Sequence, residues 1–256
     1  MSGNTAGKSP VPAAAAAVVD ILAMGAHPDD VELGASGTLI RAARGGARTG
    51  IISLTRGEMG TRGTAEARAA EFAAASRIMG CVHAEMLSLP DGGVRSDEEA
   101  REAVIREIRE HRPRIILAPY WEDRHPDHPA ASRLVEEASF LAGLARRETG
   151  QAPHRPAQIV YYMSTWEFEP SFIVDVSAFI EDKRRVLEAY RTQVYNAGFS
   201  GNEPPTFISS EHFMELLFSR MSHYGHLIGK KYGEPFRIRG YLEVPDLLSA
   251  FAGRTF

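Results

Sequence analysis

Residues 18–46 have the sequence VVDILAMGAHPDDVELGASGTLIRAARGG, from which the type of fold can be inferred. Residues 18–25 are predicted to form a buried strand, because the apolar residues run without alternation into a glycine. Residues 34–44 have helical spacing and are followed by two glycines, which favour the end of a helix. The turn HPDD, residues 27–30, therefore lies between the end of a core strand and the start of a helix.

The same alternation of strand and helix continues outward from this stretch. Strands are predicted at 49–54, 84–89 and 114–119, and helices at 65–79, 97–111 and 128–147. A run of βα units predicts an α/β fold with a mainly parallel sheet and helices on both faces. After Gly150 the pattern changes to strands at 158–164 and 172–176 and helices at 180–191 and 210–228. We interpret this part as a C-terminal elaboration of a single domain over residues 17–256.

Length and charge limit the possible partners. The chain has 256 residues, which suits one full α/β domain. A formal net charge of -4 gives no electrostatic support for nucleic-acid binding. No apolar run approaches the roughly 20 residues of a membrane helix, so no membrane partner is expected. We expect residues 1–16 to be a flexible tail and not a signal peptide, because Pro10 and Pro12 interrupt it and Lys8 is its only basic residue.

Cys81 is the only cysteine in the chain. An intramolecular disulfide is therefore impossible, and the chain needs no oxidising compartment. A metal site in this protein has to use histidines and carboxylates. Cys81 itself follows a glycine at the end of a helix, where a small buried apolar residue is the simpler interpretation than a nucleophile.

Two segments rich in histidine and aspartate follow predicted strands. One is His27-Pro28-Asp29-Asp30, and the other is the segment YWEDRHPDH at residues 120–128. Ligands of open parallel sheets bind outside the carboxyl ends of the strands. Because the first and fourth strands can be neighbours in such a sheet, the two segments are predicted to form one site.

The residue types of the two segments suit a catalytic zinc ion. Such an ion takes three protein ligands and keeps a fourth position for water, and His27, Asp30 and His128 can supply the three. Zinc lowers the pKa of its water to roughly 7, and a second carboxylate must then accept the proton. Asp29 is placed for that role. His125 is predicted to stabilise the developing oxyanion or to protonate the leaving amine.

A structural alternative exists for each segment taken alone. Asp29 or Asp30 could cap the helix that follows, and Asp127 could cap the next one. Two such segments at the ends of two sheet strands favour a shared metal site over two separate caps.

The loop between residues 55 and 64 follows the second strand and is predicted to line the opening of the shared metal site. Its glycines suit a close backbone approach to a ligand. Glu58 and Arg62 are predicted to make polar contacts with substrate hydroxyls, and Arg68 and Arg124 to bind a carboxylate. The alternative is a mobile, solvated loop with ordinary surface arginines.

The remaining histidines have no partner spacing. His83, His111, His154, His212 and His226 are interpreted as structural or exposed. A role for a C-terminal side chain is left open between the tyrosine in the HYG segment at residues 223–225 and the phenylalanine at position 213.

The motifs AHPDDVELGASGTL (residues 26–39) and PYWEDRHPDHPAA (residues 119–131) resemble those of the LmbE/PIG-L family of zinc-dependent N-acetylglucosaminyl deacetylases. The similarity extends from about residue 18 to residue 236, and its later segments are most similar to the bacillithiol-biosynthesis deacetylases, which release acetate from N-acetylglucosaminyl malate. The resemblance implies a Rossmann-like fold and a Zn²⁺ cofactor. It also implies His27, Asp30 and His128 as ligands, Asp29 as base and His125 as the second catalytic histidine.

The resemblance further implies a small-molecule N-acetyl sugar substrate and a homo-oligomer, often a hexamer, which we expect to be cytoplasmic. The enzyme would be a metal-dependent amidohydrolase. Other N-acetyl sugars remain alternatives: a chito-oligosaccharide, a mycothiol precursor or an antibiotic glycan. A non-catalytic sugar- or nucleotide-binding module is a third possibility, although no G-x-G-x-x-G follows the first strand.

Overall fold

The computed structural model describes residues 18–194, 203–244 and 246–251. Its centre is a seven-stranded sheet with the strands β1 (Ile21–Gly25), β2 (Thr49–Thr55), β3 (His83–Leu89), β4 (Ile115–Pro119), β5 (Gln158–Tyr162), β6 (Phe172–Asp175) and β7 (Gly233–Arg237). The strand order is β3-β2-β1-β4-β5-β7-β6. The first five strands in this order are parallel, whereas β7 is antiparallel to both β5 and β6. This confirms the α/β class and the mainly parallel sheet.

The helices are α1 (Asp30–Arg44), α2 (Ala65–Met79), α3 (Glu98–His111), α4 (Asp127–Ala142), α5 (Ile180–Glu188), α6 (Glu211–Leu227) and α7 (Leu247–Ala250), with a 3-10 turn at Ser177–Phe179. One hydrophobic cluster joins the sheet to α3 and α4, and a second joins its other face to α1, α2 and α5. The central strands β1, β2 and β4 are buried on both sides between these layers, which explains their continuous apolar runs.

Two predicted boundaries were wrong by four residues or more, and one strand was missed. Helix α1 begins at Asp30 and not at residue 34, so Asp30 is itself helical. Helix α4 ends at Ala142 and not at residue 147, because the chain turns at Gly143. Strand β7 was missed, since its sequence GEPFR contains a proline and a glutamate, both poor strand formers.

The C-terminal elaboration packs at the β6–β7 end of the sheet. There the ammonium of Lys183 on α5 lies 2.7 Å from a carboxylate oxygen of Glu234 on β7, and both side chains are buried. The Glu234 carboxylate also accepts backbone N–H groups of Gly37 and Thr38 in α1. This ion pair ties three elements together.

The predicted tail at residues 1–16 lies outside the described residues. No helix of the described parts combines the length and the hydrophobicity that crossing a bilayer requires.

Candidate metal and catalytic site

The two predicted segments meet where the order of the strands changes direction. Strand β1 pairs in parallel with β4, with Ile21 opposite Ile115, and β2 lies on its other side. The chain leaves β1 into HPDD and leaves β4 into residues 120–128, so both segments emerge at the same edge of the sheet. The prediction that the first and fourth strands are neighbours is confirmed.

His27 and His128 both contact the Asp30 carboxylate, and one ligand nitrogen of each lies within 4.8 Å of a nitrogen of His125. The Asp30 carboxylate lies between the two imidazoles, with Oδ2 3.5 Å from His27 Nδ1 and Oδ1 3.1 Å from His128 Nε2. Gly25 makes room for this arrangement, because a Cβ at that position would lie 2.9 Å from the Cβ of Asp30. Two nitrogens and a carboxylate are a donor set that zinc accepts, and ligands of one zinc ion lie about 3–4 Å apart. The residues therefore fit a metal ion.

The outer nitrogen of His27 is held by two further carboxylates. His27 Nε2 lies 3.1 Å from Asp91 Oδ1 and 3.2 Å from Asp127 Oδ2. Although burial lowers the pKa of His27, contacts with Asp127, Asp30 and Asp91 outweigh it and raise the pKa to about 12. The surroundings of His27 thus favour positive charge.

The outer nitrogen of His128 has a carboxylate of its own. His128 Nδ1 lies 2.9 Å from Asp123 Oδ1, and the other oxygen of Asp123 accepts the backbone N–H groups of Thr165 and Trp166. Carboxylates that hold the second nitrogen of a histidine ligand fix its orientation and tautomer. Both histidines therefore have the outer support that metal ligands in proteins usually have.

Asp29 is strained and buried beside this point. Its φ of 118° lies in the left-handed region, which non-glycine residues rarely adopt. Its carboxylate makes no capping hydrogen bond to α1, which removes the cap interpretation for this residue. Arg68 Nη2 lies 3.6 Å from Asp29 Oδ2. Burial raises the pKa of Asp29 to about 7, against the opposing effect of Arg68.

Asp127 does not act as a helix cap either. Its carboxylate accepts the backbone N–H groups of Gly92 and Val94 and contacts His27, so it joins the turn after β3 to the site. The N-cap of α4 is Pro126, without a side-chain hydrogen bond.

His125 lies next to the two predicted ligands. Its ring centroid is 4.6 Å from that of His27 and 5.1 Å from that of His128. The backbone N–H of Asp127 donates to His125 Nδ1, which leaves the proton of a neutral ring on Nε2. His125 is therefore arranged as a hydrogen-bond donor through Nε2. Burial, together with His27 and His128, lowers the pKa of His125.

A cavity of about 690 Å³ opens over these residues. Asp29, His125 and His128 line its floor, and loop residues around Met59 and the start of α6 line its walls. Cavities of this size accommodate small-molecule ligands. The apolar rim includes Met59 and Leu216, which are both largely exposed.

The predicted substrate contacts divide into two pairs. Arg68 and Arg124 line the cavity, and Arg124 lies over the ring of Phe207, 5.1 Å from its centroid. Glu58 and Arg62 are not among the cavity residues. Glu58 accepts the backbone N–H of Asp91, and the Arg62 carbonyl accepts a hydrogen bond from Gln193, so both residues hold the loop. Their contact with substrate stays a prediction.

Two glycines of this loop, Gly57 and Gly60, lie close to the Arg68 side chain. Gly57 has a φ of 65°, and a Cβ on it would lie 2.4 Å from the Arg68 guanidinium. Arg68 donates to the carbonyls of Gly57 and Pro28, and so connects the loop to the HPDD turn.

Sequence reasoning missed four residues of the site: Asp91, Asp123, Asp127 and Arg220. Asp91 lies in the turn LPDGG, residues 89–93, and the two other aspartates lie in the segment at residues 120–128. The need of a histidine ligand for an outer carboxylate was the available signal. Arg220 lies on α6 and lines the cavity. No spacing in the sequence connects it to residues 27–30.

The two candidate side chains near the C-terminal end, Phe213 and Tyr224, differ in their position relative to the cavity. Phe213 lines the cavity, whereas Tyr224 is buried against Met163 and Phe168 and is not a cavity residue.

Comparison with known proteins shows that part of the chain is similar to a known protein family. The family model described as PIG-L, GlcNAc-PI de-N-acetylase, matches residues 22–139. The matched region begins in β1 and ends in α4, so it contains both segments of the site.

Two curated relatives match most of the chain. A diacetylchitobiose deacetylase of Thermococcus kodakarensis is 28% identical over 235 residues, 86% of this chain and 83% of that protein. A 1D-myo-inositol 2-acetamido-2-deoxy-alpha-D-glucopyranoside deacetylase of Catenulispora acidiphila is 27% identical, over 78% of this chain and 89% of that protein.

A solved structure is more similar in sequence. The conserved protein TT1542 from Thermus thermophilus is 40% identical, with a TM-score of 0.80, and the match covers 89% of this chain and 98% of that chain.

Proposed function

Because the PIG-L de-N-acetylase family model covers both segments of the site, we propose that the chain is a zinc-dependent member of this family, a deacetylase of an N-acetylglucosamine conjugate whose aglycone is acidic. The protein is a hydrolase that acts on carbon–nitrogen bonds other than peptide bonds, as its named relatives are. The non-catalytic binding module is thereby excluded. The metal, the individual roles and the aglycone are our proposal.

The observation that carries the proposal is the meeting of the two segments. His27 and His128 face the Asp30 carboxylate with one nitrogen each and face further carboxylates with the other. A zinc ion at this point would polarise the acetamide carbonyl and lower the pKa of water to about 7.

Asp29 and His125 supply the acid–base chemistry. As water adds to the acetamide carbon, Asp29 accepts its proton, and His125 Nε2 donates a hydrogen bond to the oxyanion that forms. The carbon–nitrogen bond then breaks, and the proton held by Asp29 passes to the leaving amine. The products are acetate and a free glucosamine amine. Arg68, 3.6 Å from Asp29, keeps the carboxylate directed at the cavity.

Arg220 is the reason to propose an acidic aglycone. It lines the cavity, where burial lowers its pKa, and it donates to the carbonyl of Ser164 at 2.6 Å. No carboxylate of the described residues forms a salt bridge with it. Arg124 lies on the same cavity. An anionic group of the substrate would satisfy both guanidiniums, and N-acetylglucosaminyl malate carries two carboxylates.

A neutral conjugate is the second candidate. The names of the relatives favour it, because diacetylchitobiose and the inositol glycoside carry no charge. Glu167, which also lines the cavity, is a possible partner for a sugar hydroxyl.

The test is acetate release from three substrates: N-acetylglucosaminyl malate, diacetylchitobiose and the inositol conjugate of N-acetylglucosamine. The metal content of the same preparation is measured in parallel. We expect the highest kcat/KM with the malate conjugate and activity that is lost on chelation and restored by zinc. A preference for either neutral substrate would reject the acidic aglycone, and chelator-resistant activity would reject the metal.

Two further expectations belong to this proposal. We propose a cytoplasmic homo-oligomer, with the hexamer as the expected form. Light scattering of the purified protein measures its mass directly, and a monomer would contradict the assembly without affecting the chemistry.

A further inference from the structure

A second group of histidines and carboxylates lies away from the cavity. His83 and Glu85 lie at the amino end of β3, the edge strand of the sheet, and Glu107 and His111 lie in the last turns of α3. We call these four residues the edge cluster. The candidate active site lies at the carboxyl ends of β1 and β4, so the edge cluster is at the opposite end of the sheet.

The local structure directs all four side chains to one place. Residues two apart on a strand share a face, so His83 and Glu85 point to the same side. Residues four apart on a helix are neighbours on its surface, so Glu107 and His111 do as well. The two imidazole rings stack with centroids 3.8 Å apart and planes 33° apart.

The nitrogen and oxygen atoms that could bind a metal lie close together, but too far apart for good hydrogen bonds. Glu107 Oε2 lies 3.4 Å from His111 Nε2 and 3.7 Å from His83 Nε2, and Glu85 Oε2 lies 3.7 Å from His83 Nε2. Hydrogen bonds between nitrogen and oxygen are about 2.7–3.2 Å long. One ligand atom each of His83, Glu107 and His111 lies within 4.8 Å of the other two.

Two of these atoms form no hydrogen bond with the described residues. His83 Nε2 and Glu107 Oε2 are buried, and no described residue forms a hydrogen bond with either. Buried polar atoms in folded proteins almost always have a partner. The two atoms lie 3.7 Å apart, close to the separation of two ligand atoms on one metal ion.

We propose that the edge cluster binds a zinc ion through His83, Glu107 and His111, with Glu85 or water as the fourth ligand. Bonds of about 2.0–2.2 Å in a tetrahedral site place the ligand atoms about 3.3–3.5 Å apart. The observed separations of 3.4 and 3.7 Å need shifts of only a few tenths of an ångström to reach this geometry. A set of two imidazoles and carboxylates suits zinc better than calcium or magnesium.

The ion would fasten the end of α3 to the edge strand. No residue of the edge cluster lines the cavity, so its role is structural and not catalytic. The proposal does not depend on the proposed function, because the two sites share no residue.

Zinc content separates the two sites. The full-length protein is stripped with a chelator, dialysed against a small excess of zinc chloride and analysed for zinc per chain. We expect two ions in the wild type, one in Glu107→Gln and one in His128→Ala. The double variant should bind none. Glu107→Gln keeps the shape of the side chain but removes a ligand, so it should weaken the second site by more than the about 10- to 100-fold that loss of an outer partner causes.

Glu99→Gln is the matched control, because Glu99 is an exposed residue of the same helix. It should retain both ions. One ion in the wild type, or two in Glu107→Gln, would overturn the proposal. If Glu107→Gln does not fold, zinc anomalous scattering from wild-type crystals decides: a peak bonded to His83 and His111 supports the site, and no peak there at saturating zinc overturns it.

Discussion

The active-site cluster of His27, Asp30 and His128 and the edge cluster lie at opposite ends of one sheet and use the same residue types. The active-site cluster has an outer carboxylate on the far nitrogen of each histidine and a cavity in front of it. The edge cluster lines no cavity, and its imidazoles stack on one another. Similar ligands therefore serve two purposes, and the surroundings decide which.

A ligand set alone therefore does not make a catalyst. Asp29 and His125 line the cavity beside the active-site cluster and are the proposed base and hydrogen-bond donor. The edge cluster lies away from this cavity, so a base beside it would not meet the substrate. Four substitutions test this contrast, with expected effects that fall from a large loss of turnover to a change in thermal stability alone.

Asp29→Asn removes the proposed base and keeps the shape of the side chain. We expect kcat to fall by about 10²–10⁴, the range for a positioned general base. Zinc bound per chain should not change, because Asp29 is not a proposed ligand. Kinetics and metal analysis on the same sample provide the measurement.

Asp182→Asn serves as its control, since Asp182 pairs with Arg185 at the surface of α5. Such pairs contribute little to stability, so this variant should retain full activity. Equal activity of the Asp29 variant and the control would show that the base lies elsewhere.

Asp123→Asn changes a carboxylate that contacts the proposed ligand His128 and not the metal itself. It weakens the support of His128 Nδ1, 2.9 Å away, and should lower zinc affinity at the active-site cluster about 10- to 100-fold. Zinc titration of the chelated protein measures this. Unchanged affinity would mean that the outer carboxylates are dispensable, and the contrast between the clusters would lose its physical basis.

Arg220→Gln tests the wall of the cavity. A hydrogen bond between charged groups contributes about 1.5–3 kcal/mol, so KM for N-acetylglucosaminyl malate should rise at least about 10-fold. KM for diacetylchitobiose should stay within about 2-fold, because a neutral substrate does not need the guanidinium. A parallel rise for both substrates would assign Arg220 to general cavity structure.

Glu107→Gln should have the smallest effect on turnover. At saturating zinc we expect activity within about 2-fold of the wild type. Zinc at 100 times the Kd stabilises a site by about 2.7 kcal/mol. If the edge cluster of the variant no longer binds zinc, the rise in Tm on adding zinc should be about 5–10 °C smaller than in the wild type, at roughly 2–4 °C per kcal/mol. An equal rise in Tm in both proteins would argue against a structural ion.

The parallel half of the fold could be predicted because its signals are local. Apolar runs, glycine stops and helical spacing placed α2 at 65–79, as observed. Strand β7 has no such signal. It is held by distant partners: its backbone pairs with β5 and β6, and Glu234 pairs with Lys183.

The site could be predicted only where its residues are consecutive. His27 to Asp30 and His125 to His128 lie in two short segments, and the topology brings them together. Arg220 lies on α6, nearly 100 residues after His128, and no sequence motif identifies it as a residue of the site. His83 and His111 were interpreted as unrelated, because a strand and a helix bring them together without a recognisable spacing.

The backbone of Asp29 has a consequence for the family as a whole. Conformations of this kind cost about 1–3 kcal/mol for a residue other than glycine, and Asp29 and Arg112 are the non-glycine residues of the described chain with positive φ. While the carboxylate is needed, selection retains that cost. A descendant that has given up hydrolysis would be released from it, and glycine would be the favoured replacement. We therefore expect the residue at this position to distinguish relatives that hydrolyse amides from those that keep only the fold.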